Sequence, residues 1–129
     1  MKIQQSAENY LETIYMLQKS KGTCRSVDIA NELGFSKPSV SVAMKNLREN
    51  GYIEVMGDGN ISLLEPGKKI AEELFERHTM LTRLLVTIGV PEDIAAEDAC
   101  RIEHVISKES FEAIKESFNR HKKFIGEEK

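Results

Sequence analysis

The sequence predicts a mostly α-helical fold in which a helix-turn-helix with a two-stranded hairpin precedes a second, wholly helical domain. Apolar residues recur at intervals of three and four along most of the chain, which is the spacing of one buried helix face. Only residues 52–64 differ, because two short β-type runs flank a turn rich in glycine there. We therefore expect one domain at residues 1–70 and another at residues 71–129.

The composition is that of a folded protein. Hydrophobic residues make up 40% and charged residues 30% of the 129 positions, which excludes an intrinsically disordered chain. No apolar run approaches the roughly 18 residues of a membrane span, and the first residues lack a signal-peptide core. The two cysteines are too few for a disulfide framework. We expect a cytoplasmic protein with reduced thiols and no membrane partner.

Three helices are expected before the hairpin, and a serine suited to capping precedes each of them: Ser6, Ser26 and Ser36. The first helix should run to about residue 20, the second to Leu33 and the third to Asn50. Pro38 falls in the first turn of the third helix, where its fixed φ angle is favourable. Gly34 lies in the short turn between the second and third helices, which makes this pair a helix-turn-helix.

The hairpin is expected from the runs at residues 52–55 and 61–64. The Gly57-Asp58-Gly59-Asn60 segment between them can adopt the positive φ angles that a hairpin turn demands. A helix-turn-helix followed by a hairpin is the order of a winged helix. This order favours DNA binding, although winged helices also serve as protein-interaction modules. The net charge of −3 arises within residues 73–129, so the neutral N-terminal part can still carry a basic surface.

The third helix of such a module enters the major groove of DNA and presents its first turns to the bases. Side chains that can touch base edges or thymine methyl groups there are Pro38, Ser39, Ser41 and Val42. The expected phosphate contacts, the lysines first, are Lys37, Lys45, Arg25 and Ser36. Because no arginine, asparagine or glutamine occurs in these turns, base specificity should be modest and depend on DNA shape. The simpler alternative is that the serines are merely exposed polar residues.

Three further helices are expected after the hairpin. They should span about residues 66–88, 92–106 and 107 onward, with Ser107 capping the last. His78 lies on the apolar stripe of the first of these, where a histidine is more often a hydrogen-bonded core residue than a metal ligand. Apolar surface left on the last helices is suited to a two-fold partner, so we expect a homodimer.

One segment of the second of these helices carries donors for a metal. Cys100, Glu103 and His104 stand at i, i+3 and i+4 and therefore share a helix face. A thiol, a carboxylate and an imidazole are together the donors that a transition-metal site needs. The simpler alternative is that these side chains are solvated or form an ion pair with Arg101.

The sequence resembles the family of the diphtheria toxin repressor and the manganese transport regulator, which are metal-dependent winged-helix repressors. The resemblance covers nearly the whole chain and rests on five blocks: Tyr10-Leu11-Glu12-Thr13-Ile14-Tyr15, Asp28-Ile29-Ala30, Pro38-Ser39-Val40-Ser41, Arg77-His78 and Glu97-Asp98-Ala99-Cys100-Arg101-Ile102-Glu103-His104-Val105. It implies that the last three helices form a dimer. It also implies that four residues match metal-ligand positions, namely His78, Cys100, Glu103 and His104.

Two branches of that family differ in their ligands, and this chain combines features of both. Cys100 matches the iron-responsive branch, whereas Glu12 matches an acidic ligand of the manganese-responsive branch. Asn9 stands where the iron branch has methionine and the manganese branch aspartate, and its amide oxygen is a poorer donor. Thr82 and Ala96 replace ligands of the iron branch's ancillary site, so we do not expect that site in the same form. From the residues alone, Asn9 and Glu12 are also explained as solvated residues of a first helical turn.

We therefore predict a transcriptional repressor that binds double-stranded operator DNA as a homodimer when loaded with a divalent metal, and that controls metal-ion homeostasis genes. The thiolate and cellular availability place Fe(II) first, Mn(II) second and Zn(II) third. Ligands shared between the first helix and the Cys100 helix would fix the separation of the two recognition helices. These helices must enter grooves about 34 Å apart, or a multiple of that distance.

Two other functions are compatible with parts of the sequence. One is a winged-helix regulator that senses a small molecule and uses no metal. The other is an enzyme with Cys100 as nucleophile and His104 as base, but the chain offers no evident oxyanion site. We expect neither catalysis nor a small-molecule substrate.

Overall fold

The computed structural model describes residues 5–126, with side chains described to residue 120. Within this range it contains six helices and two strands in the order α1 (Gln5–Lys21), α2 (Ser26–Leu33), α3 (Lys37–Glu49), β1 (Ile53–Val55), β2 (Ile61–Leu63), α4 (Glu65–Thr87), α5 (Glu92–Val105) and α6 (Lys108–Gly126). The mostly α-helical class with one two-stranded hairpin is therefore confirmed. No helix among these residues is both long and apolar enough to cross a membrane.

The chain divides into two compact units, Met1–Phe75 and Glu76–Lys129, and the division falls within α4. The first unit contains α1 to α3 and the hairpin. Its core includes Leu11 and Ile14 of α1 and the predicted face of α3, all of which are buried. The buried residues of α3 are Val40, Met44 and Leu47. Since these positions repeat at intervals of four and three, the opposite side of α3 is left facing solvent.

Serine caps were predicted correctly for two helices and wrongly for two others. The Ser39 amide donates to Ser36 Oγ at 3.3 Å at the start of α3, and the Ser110 amide donates to Ser107 Oγ at 3.0 Å at the start of α6. In contrast, Ser6 lies inside α1, which already includes Gln5. Ser26 is the first residue of α2 and does not cap it.

The start of α2 shows why the Ser26 prediction was wrong. Arg25 takes the N-cap position, and its amide donates to the Asp28 carboxylate at 3.0 Å. A carboxylate three residues after the cap is one half of a capping box, and it satisfies a backbone donor that helix formation would leave exposed. The helix can therefore begin one residue before the position predicted from serine alone.

The hairpin is held firmly against the rest of the first unit. Its strands pair antiparallel, with Val55 opposite Ile61. The Ile61 amide donates to the Cys24 carbonyl at 2.7 Å, and the Cys24 amide donates to Asn60 Oδ1 at 3.0 Å. Asn60, which was predicted only as a turn residue, thus links the hairpin to the loop between α1 and α2. The position of the wing is fixed by hydrogen bonds as well as by packing.

Replacing Gly67 with alanine is expected to destabilise the first unit. Gly67 lies against the carbonyl oxygen of Tyr52, which also accepts the Leu64 amide at 3.0 Å. A Cβ at residue 67 would overlap that oxygen and approach Leu11 Cδ2 to 3.3 Å. Overpacking of this kind typically costs about 1–3 kcal/mol, which urea denaturation of the variant would measure.

The matched control for this prediction is Gly57→Ala in the hairpin turn. A Cβ added to Gly57 would meet nothing within 4 Å, and that residue has no positive φ angle. We expect the Gly57→Ala variant to unfold at the same urea concentration as the parent protein. If Gly67→Ala were equally harmless, the backbone at the start of α4 would not be held against Tyr52 as the structure shows.

Candidate metal centre and DNA interface

The structure brings Cys100, Glu103 and His104 together on α5. The ligand atoms of these side chains all lie within 4.8 Å of one another. Glu103 is fully buried, whereas Cys100 and His104 are half-buried. Ala95, Ala99 and Glu103 form a buried row along the helix, so the carboxylate occupies a position that the pattern alone would give to an apolar residue. The three donors therefore lie at the boundary between a buried row and the surface.

The two oxygens of the Glu103 carboxylate have different environments. Oε1 lies 3.0 Å from Nδ1 of His78, whose side chain is 23% exposed. Oε2 is buried, and no described residue hydrogen-bonds to it. A buried carboxylate oxygen without a partner is costly, and coordination of a cation is one of the few ways to compensate for it. With a thiol and two imidazoles nearby, these residues fit a divalent transition metal.

Arg101 does not neutralise this trio. Its guanidinium bonds to Asp98 on the same helix at 3.2 Å and stays largely exposed. Of the two sequence-based explanations of the trio, the ion pair with Arg101 is therefore wrong. Glu103 is instead hydrogen-bonded to His78 of α4, with 3.0 Å between Oε1 and Nδ1.

A neighbouring side chain, Arg77, was not predicted to have any role of its own. Its Nη1 donates to two main-chain carbonyls, those of Glu103 at 3.1 Å and Ile106 at 3.2 Å. Its guanidinium carbon lies 5.5 Å from the ring centroid of Phe111 in α6. No local sequence pattern signals these contacts, because they join residues far apart in the chain.

Four other residues occupy positions that the resemblance relates to metal binding, namely Asn9, Glu12, Thr82 and Ala96. Asn9 and Glu12 are on α1 in the first unit, where Asn9 is half-buried and Glu12 is 4% exposed. The Asn9 carbonyl accepts a hydrogen bond from Thr13 Oγ1 at 2.8 Å. Thr82 follows His78 by one turn of α4, and Ala96 lies half-buried on α5. The Thr82 hydroxyl and the Ala96 methyl group do not supply the carboxylate and imidazole that the iron branch has at the two positions of its ancillary site.

The two thiols are expected to differ sharply in reactivity. Cys24 is fully buried, and burial raises the pKa of its thiol to about 12. Cys100 is half-buried beside Glu103 and His104 on α5. Since the thiolate is the reactive form, iodoacetamide near neutral pH should modify Cys100 and spare Cys24 until the chain unfolds. Peptide mass spectrometry would locate the label, and modification of Cys24 in the folded protein would contradict the prediction.

The same burial predicts how stability depends on pH. The folded state keeps the Cys24 thiol protonated, whereas the unfolded chain loses that proton from a pKa of 9.0 upward. This contribution to the free energy of unfolding is therefore fully present below pH 9 and is lost as the pH rises toward 12.

The residues predicted to contact DNA are all exposed in the first unit: Arg25, Ser36, Lys37, Pro38, Ser39, Ser41, Val42 and Lys45. Lys37, Ser41 and Lys45 follow one another at intervals of four along α3, so they form one exposed row beside its buried face. Val42 is 61% exposed, in the sequence between Ser41 and Lys45. Ser36 Oγ also donates to Ser39 Oγ at 2.9 Å, so both hydroxyls are engaged at the helix start.

A winged helix with this exposed surface, followed by helices that gather thiol, carboxylate and imidazole donors, defines a class of metal-responsive DNA-binding proteins. Residues 2–61 match the model of the iron dependent repressor N-terminal DNA binding domain. Residues 64–123 match that of the iron dependent repressor metal binding and dimerisation domain. The chain belongs to the iron dependent repressor family. This membership confirms the predicted resemblance. It also confirms, at the level of the family, the prediction of a metal-dependent transcriptional repressor that binds DNA and dimerises.

Three similar proteins illustrate the relationship. The transcriptional regulator MntR of Escherichia coli O6:H1 is 35% identical over 114 residues, which are 88% of this chain and 74% of that protein. The iron-dependent repressor IdeR of Mycobacterium bovis is 36% identical over 105 residues, 81% of this chain and 46% of that one. The crystal structure of T. acidophilum IdeR superposes with a TM-score of 0.77 at 27% identity, over 92% of this chain and 55% of that one. The chain thus spans about half the length of both IdeR proteins.

Proposed function

We propose that this chain is a repressor that binds operator DNA as a homodimer when loaded with Fe(II) or Mn(II), and that it controls metal-ion homeostasis genes. The observation that carries the proposal is the buried Glu103 carboxylate. One of its oxygens bonds to His78, and the other has no hydrogen-bond partner among the residues described. Cys100 and His104 stand beside it on the same helix. Without a bound cation, the protein would bear the cost of removing the Glu103 carboxylate from water, and little would offset that cost.

The proposed ligands are His78, Cys100, Glu103 and His104, with Asn9 and Glu12 as further ligands. The last two rest on the resemblance of the first helix to the family pattern. When bound, the cation would supply positive charge to a donor set that includes the Glu12 and Glu103 carboxylates and the Cys100 thiolate. The Cys100 thiolate favours Fe(II) over Mn(II), because affinity for sulfur-containing sites rises along the series from manganese to copper. We keep Fe(II) first, Mn(II) second and Zn(II) third.

Dimerisation through the second unit is supported by its exposed apolar side chains. The large apolar residues with substantial exposure there are Val86, Ile88, Ile94 and Val105, and the last of these is 74% exposed. A two-fold interface would cover these side chains on both subunits, and the matched family model of residues 64–123 is that of a metal binding and dimerisation domain. A dimer also presents two copies of α3, as a palindromic operator requires.

The proposed role is regulatory and not enzymatic. The related proteins carry the names of transcriptional regulators and repressors. We propose that this chain likewise acts on DNA in the cytoplasm, with the α5 donors serving metal recognition. Cys100 and His104 then need no catalytic role.

The test is a titration of operator DNA binding, under anaerobic conditions, with Fe(II), Mn(II) and Zn(II) separately. We expect metal to raise the DNA affinity by about 5- to 150-fold, the usual size of coupling between two binding sites. The Cys100→Ala variant should lose most of this increase with Fe(II) and Zn(II). Equal DNA binding after complete chelation would rule out the proposal. A metal response unchanged in Cys100→Ala would contradict the α5 donors as the metal sensor, whereas the absence of any metal response in the parent protein would favour the regulator that senses a small molecule.

A further inference from the structure

Arg77 ties together three helices of the second unit. It lies on α4 and donates from a single nitrogen to the Glu103 carbonyl, at 3.1 Å, and to the Ile106 carbonyl, at 3.2 Å. These carbonyls belong to the last turn and the C-cap of α5. The guanidinium also lies over the ring of Phe111, which is 2% exposed in the first turn of α6. One half-buried cation therefore contacts both sides of the α5–α6 connection.

The contact with Arg77 stabilises the C-terminal end of α5. The last four carbonyls of a helix have no partner within the helix, and they carry the negative end of its dipole. Only Ile106 and Ser107 separate α5 from α6, which leaves little chain to absorb any movement. A charged donor bonded to both carbonyls fixes the direction in which α5 ends and the rotation of its last turn about the helix axis.

That last turn contains the residue at the centre of the proposed metal site. Glu103 is held at its carboxylate by His78 and at its carbonyl by Arg77, and these two residues are neighbours on α4. Metal binding would draw the carboxylate and His78 into coordination, so the bond between them would have to change. The bonds from Arg77 go to main-chain atoms and need not change.

We infer that Arg77 is a positioning residue that fixes the Glu103 backbone and thereby prepares the α5 donors for metal. This inference rests on the proposed function. Residues that orient metal ligands without touching the metal typically contribute about 10- to 100-fold to metal affinity. Arg77 should act in this range, although it contributes no ligand atom.

The experiment measures Co(II) binding by the purified full chain, because Co(II) bound to a thiolate has a charge-transfer absorption that reports on Cys100. In Arg77→Met, the Co(II) dissociation constant should rise by about 10- to 100-fold, with the thiolate band still reached at saturation. Arg77→Lys restores a charged donor but not the flat guanidinium, and it should recover part of the affinity. If Arg77→Met does not fold, the comparison of Arg77→Lys with the parent protein still tests the inference.

Two controls separate positioning from general loosening. Arg101→Met removes a largely exposed arginine of α5 whose guanidinium bonds to Asp98 of the same helix, and it should leave Co(II) affinity unchanged. Phe111→Leu weakens the packing beneath Arg77 but keeps its donors, so it should lower the urea midpoint with little change in Co(II) affinity. Equal losses of affinity in Phe111→Leu and Arg77→Met would overturn the positioning role, as would unchanged affinity in Arg77→Met. Absence of Co(II) binding by the parent protein would instead contradict the proposed function.

Discussion

The Glu103→Gln variant is expected to lose metal-dependent DNA binding while its metal-free form remains at least as stable as the parent protein. Glutamine has nearly the shape of glutamate, so packing around this fully buried residue should be preserved. Its amide oxygen can still accept a hydrogen bond from His78, whose Nδ1 now lies 3.0 Å from Oε1. Metal affinity should fall by a factor on the order of 100 or more, because a ligand is lost and not only its orientation.

The stability of the metal-free variant follows from the same geometry. The carboxylate oxygen Oε2 has no hydrogen-bond partner among the described side chains and backbone groups. A neutral amide is less costly to bury than a charged group, so the free energy of unfolding should stay level or rise by about 1 kcal/mol. Urea denaturation in the presence of a chelator would measure it, alongside Mn(II) and Co(II) titrations.

Glu97→Gln is the matched control, since Glu97 is an exposed residue of the same helix. It changes the net charge by the same amount and should alter neither stability nor metal affinity. A clear loss of stability in metal-free Glu103→Gln would mean that the carboxylate is a structural partner of His78. Unchanged metal affinity would remove Glu103 from the ligand set.

The sequence predicted those features of the fold that depend on neighbours in the chain. The buried face of α3 and the serine caps of α3 and α6 follow from spacing and from one side chain each, and the structure has them. The Ser26 cap was wrong because Asp28 stabilises an earlier start of α2 through the Arg25 amide. Two local signals competed there, and the serine alone did not decide between them.

The candidate site was predictable only in part for a different reason. Cys100, Glu103 and His104 are close in sequence, so helical spacing alone predicts that they share a face. The full burial of Glu103 and its bond to His78 depend on how α4 packs against α5, which no local pattern contains. The same holds for Arg77, whose acceptors lie 26 and 29 residues away.

Replacing both lysines of the exposed α3 surface with glutamine is expected to weaken operator binding and make it much less sensitive to salt. Lys37 and Lys45 lie on either side of Ser41 and Val42, at the distance of two helical turns. If each contacts one phosphate, a dimer of Lys37→Gln/Lys45→Gln loses four phosphate contacts. The slope of log affinity against log salt should then become shallower by about 0.9 for each contact, or nearly 4 in all.

The loss should be uniform across operator sequences, because phosphate contacts position the protein without reading the bases. DNA binding measured by fluorescence anisotropy between low and moderate salt, with saturating metal, would give the slope. The control variant Arg83→Gln/Lys108→Gln makes the same change of net charge at exposed positions of the second unit. An equal change of slope in both variants would show that overall charge, and not α3, accounts for the effect. An unchanged slope in Lys37→Gln/Lys45→Gln would place the DNA contacts elsewhere, because α3 would then meet no phosphates through these side chains.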